Sequence, residues 1–283
     1  MSQTPFFSVV IVNYNYGQYL EEAICSIIDQ SINDYEIILV DGGSTDDSLR
    51  IIEKYSDKFA WWVSEPDSGQ SEAFNKGFAK AKGKFLTWLN SDDIMLPGTL
   101  AAAKRKLVKN EACNWLTGNL IKILNDNTIY ESKWGPHYLP KFLQRESAPA
   151  IVFGPSSFFR RELFIQVGRM DQELHYMMDT DLWIRFMMHG VKQVRLNHYC
   201  WAFRIHERSK TAMFENSLIN EKHAEDIAVE RGKMWRKNGY TISGVLKWGI
   251  RAWRILDMSA LVYVYRQRNW RGRDYRLVKF SKE

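Results

Sequence analysis

The first hundred residues alternate short β-branched runs with helical spacings, and no other feature limits the fold as tightly. FSVVIV (7–12), EIILV (36–40), AWWVS (60–64) and KFLTWL (84–89) read as strands. Between them, Gln18 to about Gln30, Asp46 to about Tyr55 and Gln70 to Ala81 read as amphipathic helices. Such alternation implies βαβ units and a mostly parallel sheet flanked by helices. Ligands of these sheets bind beyond the carboxyl ends of the strands. That rule singles out Asn13-Tyr14-Asn15, Asp41-Gly42-Gly43-Ser44 and Asn90-Ser91-Asp92-Asp93.

Past residue 100 the pattern loosens. A helix is expected over 99–109, then strands at 115–124 and 128–133 joined by an Asn-Asp-Asn turn. A Pro-punctuated stretch follows (136–155), then a helix from Arg161 to Val167. Another helix begins near Asp179 and stops at Gly190, a residue suited to a helix C-terminus. Residues 244–265 form an amphipathic pattern with Lys247, Arg251 and Arg254 on one face and Trp248, Ile255 and Val262 on another.

Charge divides the chain. Residues 231–283 hold 14 Lys and Arg against 3 Asp and Glu, which leaves 25 basic and 30 acidic residues before them. The basicity belongs to the tail, and it suits either a solvated helix face or an anionic membrane surface. Nucleic acid is not the expected partner, because no recognition motif accompanies the charge. No 18-residue uncharged apolar run occurs, and the N-terminus lacks the basic start of a signal peptide. Three widely spaced cysteines (Cys25, Cys113, Cys200) form neither a metal pattern nor a disulfide framework, so a reducing cytoplasm is expected.

Five constellations can carry chemistry, and each has a plainer alternative. Asp41 at a strand end before two glycines can accept from a nucleobase or ribose, or simply serve the turn. The segment from Glu65 through Asp67, Gly69 and Lys76 opens a helix whose amides can face a phosphate. In Asn90-Ser91-Asp92-Asp93, adjacent carboxylates can hold Mg²⁺ or Mn²⁺ with substrate phosphates, or cap a helix. Asp179 or Asp181 can be a general base, or favourable charge at a helix start. His206 lies between Arg204 and Lys210, among basic and hydroxyl residues that suit an anion or a metal.

Taken in order, these segments resemble glycosyltransferase family 2, the inverting nucleotide-sugar enzymes of the GT-A fold. The blocks are SVVIVNYN, EIILVDGGSTDDS, SEPDSGQSEAFNKGF, FLTWLNSDD, FFRRELFIQVGRMDQELHYMMDTDLWIRF and RIHERSKT, spanning about residues 7–211. The likeness is to bacterial members that build surface polysaccharides. It implies that Asn13, Asn15, Asp41, Asp67, Gly69, Lys76, Asn90, Ser91 and Lys210 border the nucleotide, with Asp41 facing the base. Asn90-Ser91-Asp92 matches the Asp-x-Asp metal motif except that Asn stands first. Asp92 and His206 would then hold the metal, with Asp93 and Trp183 at the donor sugar. Asp179 matches the Asp of the Glu-Asp base motif, with Met178 in place of Glu and Asp181 as the alternative base.

The resemblance implies a cytoplasmic, metal-dependent transferase with Mn²⁺ or Mg²⁺ as cofactor, peripheral on the inner face of the plasma membrane. Its donor would be a UDP- or GDP-sugar and its acceptor a lipid-linked or other oligosaccharide. A GT-A catalytic domain is expected over 1–215, with a nucleotide-sugar half to about 98 and an acceptor half over 99–215. A basic, Trp-rich helical extension would fill 216–283. The rival readings are a sugar-nucleotide-binding protein without catalysis and a membrane-surface scaffold.

Overall fold

The computed structural model describes residues 4–133, 154–209, 221–239 and 259–278. Within them one sheet contains β1 (Phe7–Asn13), β2 (Tyr35–Asp41), β3 (Trp61–Ser64), β4 (Phe85–Asn90), β5 (Ile94–Met95), β6 (Trp115–Ile123), β7 (Ile129–Lys133), β8 (Ser157–Arg160) and β9 (Val194–Arg204). The helices around it are α1 (Gly17–Ile28), α2 (Ser48–Lys54), α3 (Gln70–Lys80), α4 (Thr99–Val108), α5 (Arg161–Gln166), α6 (Met178–Met188), α7 (Glu221–Lys237) and α8 (Ser259–Trp270).

Strand order is β3-β2-β1-β4-β8-β6-β9-β5, with β7 also paired to β6. β3, β2, β1 and β4 are parallel, as the alternation implies. Beyond β4 the sheet becomes mixed. There β8 runs antiparallel to β4 and β6, β7 to β6, and β5 to β9, while β6 and β9 are parallel. A hairpin and short return strands replace βαβ crossovers in this half. The boundary expected near residue 98 falls inside the sheet, since β4 and β8 pair across it.

β1 is buried along its whole length because helices cover both of its faces. Phe7, Val9 and Ile11 pack with Leu20, Ala23, Ile24 and Ile27 of α1, while Val10 and Val12 pack with Phe74 and Phe78 of α3. The apolar stripe on α1 recurs at intervals of three and four residues, which places it on one helix face. On α3 the contact depends on Gly77, where a Cβ would lie 2.5 Å from Val10 Cγ1.

The α3 side of the core is an aromatic stack. Trp183 of α6 lies between Trp88 and Trp115, with ring centroids 5.5 and 5.3 Å away and planes tilted by 7° and 15°. Its exposure is 1%, so the expected donor-sugar role of Trp183 is corrected to packing.

Described parts of the 216–283 extension dock on the sheet domain. Met234 of α7 packs on Ile184 of α6. After α8, Gly272 N donates to Ile129 O (2.8 Å) and Ile129 N to Arg273 O (2.7 Å), adding backbone to the β7 edge. Tyr275 enters the cluster of Ile123, Ile129 and Tyr199. The helix expected over 244–265 lies outside the described residues up to Ser259, where α8 begins. Most of the Pro-punctuated stretch lies outside them too.

Truncating the central ring of the stack should be costly. Trp183→Ala is expected to lower unfolding free energy by about 3–5 kcal/mol, measured by urea denaturation.

Candidate active site

Register sets the site. Asn13 pairs with Asp41, Asp41 with Ser64, and Val12 with Asn90. Parallel pairing thereby brings the polar C-terminal residues of adjacent strands into one row.

Asp41 anchors that row. It is fully buried, and its Oδ1 accepts from Asn13 Nδ2 (2.7 Å) and Ser44 Oγ. Its Oδ2 accepts from Ser44 N (2.9 Å) and Ser64 Oγ (2.6 Å). These donors offset the cost of burying the carboxylate. Asn15 continues the network from the left-handed region (φ 56°), donating its N–H to Ser44 Oγ and accepting from Thr45 N at 2.8 Å. Asn13, Asn15 and Asp41 thus form the scaffold of the strand-end loops. The expectation that Asp41 faces the base is corrected, because protein donors occupy both of its oxygens.

Tyr14 is what stands open there, 59% exposed. A Cβ on Gly42 would lie 2.9 Å from Asp67 Oδ2 and 3.3 Å from Tyr14 Cδ2, so an aromatic ring and a carboxylate flank bare backbone. Asp67 is half-buried, and burial pushes its carboxyl above the usual range. Its Oδ1 accepts from Gly69 N (2.9 Å) at the start of α3. Lys76 is ion-paired with Glu65 (3.0 Å) and Glu72 (2.9 Å).

The β4 end is organised differently at each residue. Asn90 links α3 to Asp93: its Oδ1 accepts from Gln70 Nε2 (2.9 Å) and its Nδ2 donates to Asp93 Oδ2 (3.0 Å). The Ser91 hydroxyl is buried without a partner. Asp93 is 1% exposed, and its Oδ1 accepts from Arg204 N (3.0 Å). Burial first, and then Asp92, push its carboxyl well above the usual range. Asp93 is therefore a buttress, and its expected contact with the donor sugar is corrected.

Asp92 meets His206 across the sheet, Oδ2 to Nε2, at 3.1 Å. Two neighbouring ligands of an octahedral ion with bonds of about 2.1 Å lie about 3 Å apart. The pair therefore fits two neighbouring positions in the shell of a divalent cation. Among the described residues there is no group of three or more His, Cys, Asp and Glu placed to hold a metal. Tyr16 and Tyr19 pack on the His206 ring. Burial, then Asp92, push the Tyr16 phenol up to about 12, so it remains a donor, here to Arg208 O at 2.9 Å. Beneath the pair, buried Arg204 donates Nε to Asp92 O (3.2 Å), Nη1 to Asn127 Oδ1 (3.1 Å) and Nη2 to Glu22 Oε2 (2.6 Å). Lys210 lies outside the described residues.

Asp179 sits in the first turn of α6, half-buried, with burial raising its carboxyl above the usual range. Its Oδ1 accepts from Thr180 N (2.6 Å) and Thr180 Oγ1 (3.2 Å). Its Oδ2 lies 3.6 Å from where a Gly154 Cβ would stand, and that same position is 3.1 Å from the Trp88 ring of β4. Asp181 is fully buried and engaged: Arg185 Nε donates to its Oδ2 (2.7 Å) and Asn238 Nδ2 to its Oδ1 (2.8 Å). The alternative base is thereby corrected to a structural ion pair.

Tyr14, Arg204 and Glu230 (whose carboxylate caps the start of α6) escaped assignment from sequence. Tyr14 and Arg204 stood inside singled-out segments without a role of their own, and Glu230 carried no signal.

Comparison with known proteins follows the same chain segments. The sequence model described as "Glycosyl transferase family 2" matches residues 8–168. A glycosyltransferase of Rickettsia prowazekii, itself uncharacterized, is 28% identical over 230 residues, 79% of this chain and 70% of its own. S. aureus TarS 1-349, solved in complex with UDP-GlcNAc, superposes with a TM-score of 0.58 at 19% identity, over 79% of this chain and 66% of that one. A mannosyltransferase from Pyrobaculum calidifontis in complex with GDP-Man and Mn²⁺ gives 0.57 at 16% identity, over 95% and 84%.

Asp181→Ala should separate structure from chemistry. Removing the counter-ion of Arg185, which keeps only the Val167 and Arg169 carbonyls, is expected to cost about 3–5 kcal/mol of stability by thermal or chemical unfolding. Nucleotide titration of the folded protein should give an unaltered Kd.

Proposed function

The chain belongs to glycosyl transferase family 2 and has the GT-A fold, and we propose that it moves a sugar from a nucleoside-diphosphate donor to an acceptor hydroxyl by a single inverting displacement. The observation that carries this reading is the Asp92–His206 pair at 3.1 Å, on the same row of strand ends as the exposed Tyr14 shelf. Tyr14 offers its face to the nucleobase, with Asp67 beside it as acceptor. TarS with UDP-GlcNAc and the mannosyltransferase with GDP-Man and Mn²⁺ support a UDP- or GDP-sugar donor and a divalent ion.

In this reading Asp92 and His206 hold the cation, and Arg204 and Asp93 fix Asp92 from beneath. When bound, the ion supplies Lewis-acid neutralisation of charge developing on the departing diphosphate. Asp179 Oδ2 takes the proton of the acceptor hydroxyl as the new C–O bond forms and the anomeric bond to diphosphate breaks. Burial makes this carboxylate a stronger base than an exposed Asp.

We place the acceptor among lipid-linked oligosaccharides of bacterial cell-surface polysaccharide synthesis. Among the described residues no helix is long and apolar enough to cross a membrane. Leu261, Val264, Tyr265 and Arg268 fall at i, i+3, i+4 and i+7 on the outer face of α8 and are all exposed. An apolar and basic helix face of this kind suits the surface of an anionic bilayer.

A panel of UDP- and GDP-sugars, assayed for release of nucleoside diphosphate with Mn²⁺, tests the chemistry. EDTA should abolish release, and Asp179→Asn should lower it by about 10²–10⁴-fold while nucleotide Kd is kept. In the wild type the rate should fall as pH drops through the raised Asp179 pKa, because protonation removes the base. Full turnover in EDTA would remove the cation from the reading, and nucleotide binding without turnover on any donor would favour the non-catalytic alternative.

Vesicle sedimentation tests the surface. The full chain should pellet with phosphatidylglycerol vesicles and stay soluble with phosphatidylcholine, and Leu261→Glu should weaken pelleting several-fold. Equal partition with and without vesicles would exclude lipid binding.

A further inference from the structure

We propose that Glu230, on α7 in the extension, is a positioning residue for the base Asp179; this rests on the reading of Asp179 given above. Three consecutive backbone amides precede α6, and all of them donate to this one carboxylate. His175 N reaches Oε2 at 3.0 Å, while Tyr176 N and Met177 N reach Oε1 at 2.7 and 2.6 Å. Glu230 is 7% exposed, so it is held in place by packing as well as by these bonds.

The capping is supplied from a distant helix because the local chain does not provide it. Met177 occupies the N-cap position and makes no side-chain cap. Met178, which stands where the Glu-Asp motif would place a carboxylate, is 8% exposed and packed in the core. Met177 N is one of the amides a helix start leaves without a partner, while His175 N and Tyr176 N belong to the turn that leads into α6; one carboxylate satisfies all three and complements the helix dipole. Asp179 follows Met177 by two residues, so fixing amides 175–177 fixes the height and rotation of the turn that carries its carboxylate.

The rest of α7 is tied to the same unit. Asn238 donates to Asp181 (2.8 Å), Lys237 pairs with Asp171, and Met234 packs on Ile184. These ties, all C-terminal to Glu230, hold α7 against α6. A reacting carboxylate displaced by about 1 Å can lose about 10²-fold in rate.

The test compares the full chain with Glu230→Ala, Glu230→Gln, Asp179→Asn and the Asp179→Asn/Glu230→Ala double variant. The probe is nucleoside diphosphate release from UDP-GlcNAc and GDP-Man with Mn²⁺, normalised to folded protein. Glu230→Ala is expected to lower kcat by about 10–100-fold with donor KM within about twofold. Glu230→Gln, which retains one carbonyl acceptor, should recover part of that loss. The double variant should be no slower than Asp179→Asn alone, because a residue acting through Asp179 has nothing left to position. Amide hydrogen exchange at 175–177 should accelerate in both Glu230 variants, which gives a reading of the cap apart from turnover. Unchanged kcat in the Gln and Ala variants, or a double variant slower by the full product of the single effects, would overturn the proposal. Should Glu230→Ala fail to fold, the Gln variant and its amide exchange decide the matter. Turnover by Asp179→Asn at the wild-type rate would instead sink the base assignment, and this proposal with it.

Discussion

In-register parallel pairing of β1 with β2 and β4 is the constraint on which the rest of the site depends. The register sets Asn13 opposite Asp41 and Val12 opposite Asn90. A slip of one residue would exchange the buried and opposite faces of a strand. It would also strip Asp41 of Asn13, a donor to a carboxylate with no solvent contact. Donors to Asp41 come from β1, β3 and the turn after β2, so the buried charge binds three neighbouring strand ends together. Asp41 thereby builds the shelf on which Tyr14 is displayed, and that is a different task from touching the ligand.

The parallel half was legible because its signal is local. Strands of Val, Ile and Leu alternate with amphipathic helices, and the observed bounds of β1 to β4 differ from the expected ones by a residue or so. The polar strand ends followed from the rule for open sheets. Other elements carry no such pattern. β5 has two residues, and its partners, Ala202 and Trp201, lie more than a hundred positions away. β9 interrupts its apolar run with half-buried Arg195 and buried Arg204, each held by distant partners: Arg195 reaches Thr117 and Asn119, and Arg204 reaches Glu22 and Asn127. No window of sequence contains both halves of those pairs.

Misassigned roles have a common geometric origin. Adjacent residues at a strand end, and residues one or two apart on a helix, point in different directions, so a motif names candidates without saying which of them faces the opening. Asp179 and Asp181 are two positions apart, roughly opposite on the α6 cylinder. The first lies near Gly154, and the second turns inward to Arg185 and Asn238. Asp92 and Asp93 divide in the same way, toward His206 and toward Arg204 N. Trp183 shares a helix with Asp179, yet its ring lies wholly within the tryptophan stack.

The charge asymmetry also changes meaning once partners are visible. A balance of +11 over 231–283 reads as a surface available to anions, but part of it is engaged within the fold. Lys237 pairs with Asp171, Arg276 with Asp274, and Arg266 lies over the edge-to-face pair of Tyr199 and Trp270, 4.8 and 4.9 Å from their rings. Tyr275 meets Glu22 and donates its N–H to Asn127 O, and both of those residues hold Arg204 beneath Asp92. The extension therefore reaches the Asp92–His206 pair through Arg204 and the turn that carries Asp179 through Glu230. Arg266, half-buried over its two rings, is a poor counter-ion for lipid, whereas the exposed Lys237 and Arg276 pairs hold their partners only weakly. Any membrane affinity of α8 must then draw first on Leu261, Val264 and Tyr265, with Arg268 selecting the sign of the surface.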